Sequence, residues 1–164
     1  MINMEYISHT CYIYIARAFN DVIIITVILM KTIHVAAAII VKDNKILIAQ
    51  RLNGEFAGLW EFPGGKIEKD ETPQDALIRE IYEEMELKIS IHNFLMTAKY
   101  DYSTFHLTMD CFVCTMDFED IQLHDHSAIK WISLDEDIKN INWVPADVQI
   151  IQKIMQLKNQ FQLL

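Results

Sequence analysis

Three glutamates lie close together on one predicted helix, at positions Glu80, Glu83 and Glu84. At about 100° of rotation per residue, they fall within about 100° of one another on the side opposite the apolar residues. Carboxylates at this spacing repel by about a few tenths of a kcal/mol unless a cation offsets their charge. Magnesium binds carboxylate oxygens together with substrate phosphates. The cluster therefore predicts either a divalent-metal site or an acidic face exposed to solvent.

The helix that carries the glutamates has a well-marked beginning. Thr72 is a suitable N-cap, Pro73 fits the first helical position, and Asp75 complements the positive helix end. The pattern predicts a helix to about Met85. Its predicted core face consists of Leu77, Ile78, Ile81, Tyr82 and Met85.

A glycine-rich segment leads directly into this helix. Residues 53–72 contain all four glycines of the chain, which predicts a long shaped loop. Loops of this length in compact domains usually carry function. We therefore expect loop carbonyls and amides to lie near the glutamates.

The remaining elements predict one mixed α/β (α+β) domain. Residues 34–41 and 46–51 form a predicted hairpin around an Asp-Asn turn, and residues 88–102, 104–116 and 130–134 are predicted strands. Ser133 and Glu136 form a capping-box pair, and Pro145 opens a final helix. The residues of that helix expected to pack on the sheet are Val148, Ile151, Ile154, Met155 and Phe161.

Composition narrows the function classes. The 164 residues are 52% hydrophobic, enough for one core, and the net charge of -9 argues against binding to a nucleic-acid polymer. Cys11, Cys111 and Cys114 are too few for a disulfide framework and suit a reducing cytoplasm. Cys111 and Cys114 have C-x-x-C spacing, but in a strand they point to opposite faces, so we expect two buried thiols.

Residues 1–29 form an apolar N-terminal extension, and the domain is predicted over residues 30–164. Arg17, Asn20 and Asp21 interrupt the apolar run, which is too short for a bilayer span. The segment lacks the basic start and the cleavage site of a secretory signal. We expect an extension dispensable to the fold; an added strand or helix and a membrane attachment are the alternatives.

The region from Gly65 to Leu87 resembles the Nudix box. The positions that match are Gly65, Glu71, Arg79, Glu80, Ile81, Glu83, Glu84 and Leu87. One glycine of the box is replaced by Glu86, and the preceding LWEFPGG is similar to the MutT-like branch. The resemblance extends from Met30 to the C-terminus and implies the Nudix fold, a mixed β-sheet sandwiched between helices.

The resemblance also implies roles for individual residues. Arg79 would orient the glutamates, Glu71 and Gly65 would support the loop, and Arg51 would bind substrate phosphate. Phe62 would pack on the base or in the core, and Asp147 would bind the base or stabilise its helix. His126 fits the family pattern or lies on the surface. The implied metal ligands are the Gly64 carbonyl, Glu80, Glu83, Glu84 and Asp125. Asp125 is also a candidate for the general base.

The implied activity is hydrolysis of a nucleoside triphosphate to a monophosphate and diphosphate, with Mg²⁺ as cofactor and Mn²⁺ as the alternative. The leading substrate is 8-oxo-dGTP, whose removal protects DNA, and CTP, dCTP or a modified pyrimidine triphosphate is the alternative. A non-catalytic ligand-binding module is the alternative from another class, against which the retained glutamates argue. The expected partner is a small nucleotide, with no nucleic-acid polymer and no membrane; the oligomeric state is open.

Overall fold

The computed structural model describes residues 11–17, 23–117, 120–135 and 138–158. At the N-terminus, β1 (Cys11–Arg17) and β2 (Ile23–Leu29) pair antiparallel in a two-stranded sheet of their own. These two strands pair only with each other among the described residues, and the dispensability of the extension to the fold stays a prediction. None of the helices among the described residues is long and apolar enough to cross a membrane.

The predicted hairpin is present and opens the main sheet. Strand β3 (Lys31–Lys42) turns into β4 (Lys45–Arg51) through Asp43 and Asn44. Their φ angles are 50° and 58°, the left-handed conformation that Asp and Asn tolerate well in tight hairpin turns. The polar pair at the turn thus sets where the strand reverses.

Five further strands complete this sheet: β5 (Trp60–Glu61), β6 (Gly64–Lys66), β7 (Ile89–Asp101), β8 (Phe105–Met116) and β9 (His126–Ser133). The main path runs β5-β4-β3-β8-β7, with β6 on β3 and β9 on β4. The β3–β8 pair is parallel, whereas the other pairs of this sheet are antiparallel. The expectation of a mixed sheet is confirmed.

Helix α1 (Pro73–Met85) begins as predicted, with Asp75 N–H donating to Thr72 Oγ1 at 3.1 Å. The prediction of its core face was wrong in part. Leu77, Ile81 and Met85 are buried, but Ile78 is 46% and Tyr82 is 54% exposed. A single i, i+4 row faces the sheet, and Ile78 and Tyr82 lie about 100° beyond that row.

A second helix covers the opposite face of the sheet. Helix α2 (Asp147–Gln156) follows a 3₁₀ turn (Ile138–Asn140) and buries Ile150, Ile151 and Ile154. Val148 and Met155 are partly exposed, contrary to prediction, because the helix packs through these three isoleucines. The predicted residues Glu136 and Phe161 lie outside the described residues.

Alternating side chains of β3 fill both layers. Ala37, Ile39 and Val41 face the α2 layer, whereas Ala36, Ala38 and Ile40 face the α1 layer. The predicted sheet between helices is therefore confirmed. Cys111 and Cys114 are buried in opposite layers, as their spacing in a strand predicted.

Candidate active site

The glycine pair at the start of β6 brings the loop against α1. Gly64 has φ 145°, and a Cβ there would lie 2.2 Å from the Ala36 carbonyl oxygen. A Cβ on Gly65 would lie 2.2 Å from Glu80 Oε2. Only glycine allows β6 to pair with β3 at this place while the Glu80 carboxylate lies on top of it.

Arg79 joins the loop to the glutamates. Its Nε and Nη2 donate to the two oxygens of Glu71, each at 2.9 Å, and Nη2 also donates to the Lys66 carbonyl at 3.0 Å. Its Nη1 donates to Glu80 at 2.9 Å and to Glu83 at 3.2 Å. The hydrogen bond with Glu71 raises the pKa of Arg79 and lowers the pKa of Glu71. The guanidinium is therefore a fixed positive charge between loop and helix.

Glu84 differs from its two neighbours because it is largely buried. At 100° per residue it lies only about 20° from Leu77, at the edge of the core face rather than opposite to it. Burial raises the pKa of Glu84 to about 7, and repulsion from Glu61 and Glu80 raises it further. His126 and the backbone of Gly64 act in the opposite direction. Within the described residues, Glu84 Oε2 is buried without a hydrogen-bond partner. An oxygen of this kind is suited to bind a cation.

Asp125 lies in an exposed loop directly before β9. The loop is attached to the end of α1, since Gln122 and His124 donate backbone hydrogen bonds to the carbonyls of Met85 and Glu84. Among the described residues, no three acidic, histidine or cysteine side chains are close enough together to hold an ion. The backbone hydrogen bonds place the Asp125 loop next to the glutamate helix. The Glu80 and Glu83 side chains are directed at Arg79.

Asp147 is at the other end of the site and is 3% exposed. Its Oδ1 accepts a 2.8 Å hydrogen bond from the backbone N–H of Phe62. Burial raises the pKa of Asp147 to about 8, which the Phe62 hydrogen bond only partly offsets. At neutral pH the carboxyl is mostly protonated, so it offers a hydroxyl donor beside its acceptor oxygen.

A cavity of about 220 Å³ extends from Asp147 to the first glycine of the pair, Gly64. Asp147 and Phe62 line one part of it, and Arg51, Glu61 and Gly64 line another. Phe62 itself is buried and stacks on Trp143, with ring centroids 5.5 Å apart, so both roles considered for Phe62 are compatible with its position.

Aromatic residues of the β7–β8 turn form a wall of this cavity that the sequence analysis did not identify. Tyr102 packs on Phe56 and Phe105 with centroids 5.1 Å and 4.7 Å apart, and all three line the cavity. Burial raises the pKa of Tyr102 to about 12. The signal was the cluster of aromatics at the turn between two predicted strands.

Glu61 was also missed, although it lies within the LWEFPGG segment. Both of its oxygens accept hydrogen bonds from Arg51 Nη1, at 2.9 Å and 2.8 Å. Its Oε1 is also 3.1 Å from His126 Nε2. His126 is 5% exposed, which excludes the alternative of a surface histidine. This contact joins strands far apart in sequence, so spacing alone could not reveal it.

Comparisons with known proteins agree on one family. The sequence model described as NUDIX domain matches residues 35–153. The CTP pyrophosphohydrolase of Escherichia coli (strain K12) is 35% identical over 130 residues, which are 79% of this chain and 96% of that protein. The 8-oxo-dGTP diphosphatase of Proteus vulgaris is 42% identical over 87 residues, which are 52% of this chain and 78% of that protein. The solution structure of the E. coli ORF135 protein superposes with a TM-score of 0.68 at 34% identity, covering 80% of this chain and 94% of that one.

Proposed function

This chain belongs to the Nudix hydrolases, and from that membership we propose that it is a nucleoside triphosphate pyrophosphohydrolase that removes 8-oxo-dGTP from the nucleotide pool of the cytoplasm. The products are a nucleoside monophosphate and diphosphate. Water adds to the β-phosphorus, and the bond from that phosphorus to the oxygen bridging it to the α-phosphorus breaks. The proposed partner is thus a small nucleotide, and the cellular role is protection of DNA from mutation.

One observation carries the proposal: a single cavity is lined both by groups suited to a base and by groups suited to phosphates. Asp147 and the aromatic wall provide a polar partner and stacking surfaces. Arg51 provides a guanidinium in the same cavity, beside Gly64, whose neighbour Gly65 lies under the Glu80 carboxylate. A nucleotide bound along the cavity therefore has its base at Asp147 and its phosphates toward Glu84.

Nudix hydrolases generally require a divalent cation, and we propose Mg²⁺, with Mn²⁺ as a substitute; to hold it, the carboxylate side chains of the described residues must move closer together. The unpartnered Glu84 Oε2 supports this assignment. When bound, the ion neutralises phosphate charge and lowers the pKa of a bound water. The proposed ligands are the Gly64 carbonyl and the carboxylates of Glu80, Glu83, Glu84 and Asp125.

The protein residues have separate roles in the proposed reaction. Arg79, held by Glu71, keeps the Glu80 and Glu83 carboxylates oriented. Arg51 binds a phosphate oxygen. The proton of the attacking water passes to a carboxylate, for which Glu84 and Asp125 are the two candidates.

Asp147 recognises the base in this proposal. As a neutral acid it donates one hydrogen bond and accepts another, which matches a base edge that presents an N–H next to an acceptor. Oxidised guanine and cytosine both have such an edge. The second candidate substrate, CTP or dCTP, is favoured by the E. coli CTP pyrophosphohydrolase, 96% of whose length aligns with this chain.

The test is hydrolysis with magnesium across a substrate panel: 8-oxo-dGTP, dGTP, CTP, dCTP, 5-methyl-dCTP, ADP-ribose and a dinucleoside polyphosphate. We expect diphosphate release from the triphosphates and little turnover of the last two. Asp147→Ala should lower kcat/KM for the best substrate by a factor that corresponds to about 1–3 kcal/mol of transition-state stabilisation. The loss for the poorest substrate should be smaller.

Gln149→Ala provides the matched control on the same helix, because this side chain bonds the Lys99 carbonyl instead of lining the cavity. An equal loss across the panel for Asp147→Ala would assign Asp147 to the stability of α2. A best substrate that is not a triphosphate would disprove the proposed reaction, and preference for cytosine would select the second candidate.

A further inference from the structure

Arg51, Glu61 and His126 form a chain of polar contacts at the edge of the cavity. Arg51 Nη1 donates to both Glu61 oxygens, and Glu61 Oε1 is 3.1 Å from His126 Nε2. A carboxylate can only accept, so Nε2 carries the proton in this contact. Side-chain exposure decreases along this row of three contacting residues, from 41% for Arg51 to 13% for Glu61 and 2% for His126. The buried end is therefore the histidine.

The backbone fixes the three residues relative to one another. Arg51 pairs with His126 at the point where a register shift interrupts the β4–β9 ladder, and Glu61 pairs with Ala49 on the other edge of β4. The Arg51 N–H donates to the Leu59 carbonyl at 3.0 Å. Three strands thus each supply one member, and none of the three backbones is free to move alone.

Glu61 needs more than one partner to stay where it is. Glu61 lies near two other carboxyl groups, since its charge contributes to the raised pKa of both Glu84 and Asp147. Oε1 is the oxygen shared by Arg51 and His126. Without the histidine, Arg51 is the one side-chain partner left to Glu61 among the described residues, and rotation of Glu61 would carry the guanidinium with it.

We propose that His126 is a positioning residue for substrate binding, which acts through Glu61 to direct the Arg51 guanidinium at the triphosphate. The inference rests on the proposed function, in which Arg51 binds a phosphate oxygen. Since Glu61 occupies Nη1 and Nε is enclosed by protein, the substrate contact is made from Nη2 of the partly exposed Arg51 side chain. The histidine itself touches neither substrate nor metal.

The test compares His126→Gln, whose amide nitrogen can take the place of Nε2, with His126→Asn, whose shorter side chain cannot reach Glu61. With the best triphosphate and magnesium, we expect His126→Asn to raise KM about tenfold and to change kcat less. His126→Gln should restore most of the affinity. His92→Asn is the matched control, because His92 is an exposed histidine that contacts Thr115 on the β7–β8 pair.

Each change is then repeated with Arg51→Ala. If His126 acts through Arg51, His126→Asn adds nothing to the KM of the Arg51→Ala enzyme. A further increase in KM, or equal KM values for His126→Gln and His126→Asn, would overturn the inference. Should His126→Asn not fold, His126→Ala takes its place, and failure of both to fold would assign the residue to the core and overturn the inference as well. Absence of any triphosphate hydrolysis in the unaltered protein would instead disprove the proposed function.

Discussion

Asp147 combines complete burial with an ionisable carboxyl group, and this has a consequence for stability. Its pKa rises from 3.8 to about 8 on folding. The folded protein therefore holds a proton that the unfolded chain releases between these two values. Because the folded state binds this extra proton, the contribution of Asp147 to the free energy of unfolding falls as pH rises through this window.

Asp147→Asn should remove this dependence, since the amide oxygen still accepts the hydrogen bond from Phe62. We expect the difference in Tm, variant minus unaltered protein, to become more positive as the pH rises from about 4 to about 8. Calorimetry at a series of pH values measures this difference. Asp117→Asn, at an exposed position, serves as control. Parallel Tm curves for Asp147→Asn and the unaltered protein would contradict the assigned pKa.

Glu83 and Glu84 allow a matched pair of substitutions in the glutamate cluster. Glu83→Gln and Glu84→Gln should each lower kcat by about 10²-fold or more, because each removes a proposed metal ligand. Only Glu84→Gln should raise Tm near pH 8, since the Glu84 charge is buried whereas the Glu83 side chain is 59% exposed.

Steady-state rates with magnesium and thermal melts without it separate the two effects, with Glu55→Gln as the control in the exposed part of the loop. Near-normal rates in both variants would refute the proposed metal site. A lower Tm for Glu84→Gln would mean that its buried oxygen has a stabilising partner.

The end of α1 shows how one element accommodates an unfavourable residue. Glu86, at the position of the glycine in the Nudix box, adopts φ 54° and ψ 24°, the left-handed conformation. Its N–H caps the helix by donating to the Tyr82 carbonyl at 2.8 Å. Its side chain is 2.9 Å from His124, and both side chains are about half exposed.

We expect Glu86→Gly to leave Tm unchanged or to raise it slightly. Relief of the left-handed strain is worth about 1 kcal/mol, whereas an exposed ion pair is worth about 0–1 kcal/mol. Turnover should stay close to that of the unaltered enzyme. His124→Ala in the same melting and rate measurements isolates the side-chain contact, and a large loss of activity in both variants would show that this contact holds the Asp125 loop in place.

Elements defined by local signals were predictable from the sequence. The Asp43–Asn44 turn and the Thr72 cap depend on neighbouring residues, and both occur where the sequence predicted them. The outer position of Ile78 depends on how much of α1 the sheet covers. The contact of Glu61 with His126 depends on a ladder between distant strands. Periodicity could not reveal either, because both are consequences of packing.

At the scale of the whole molecule, the main sheet begins with β3 at Lys31, whereas β1 and β2 pair in a sheet of their own. A shortened protein that begins at Met30 should therefore fold and hydrolyse triphosphates at the rate of the full chain. Circular dichroism, thermal melting and the rate assay on both proteins provide the measurement. Insoluble or inactive protein would show that the N-terminal hairpin belongs to the core.

The parallel pairing of β3 with β8 also constrains how the chain acquires its structure during synthesis. The ribosome makes β3 before the loop, α1 and β7, and at about 5–20 residues per second the partner strand follows only after several seconds. Until then the apolar segment Ala36–Val41, which becomes fully covered in the finished protein, has no neighbour on that edge. A newly made chain is thus most vulnerable to aggregation while it lacks β8, and slower translation of the intervening residues would lower the yield of active enzyme without changing its final stability.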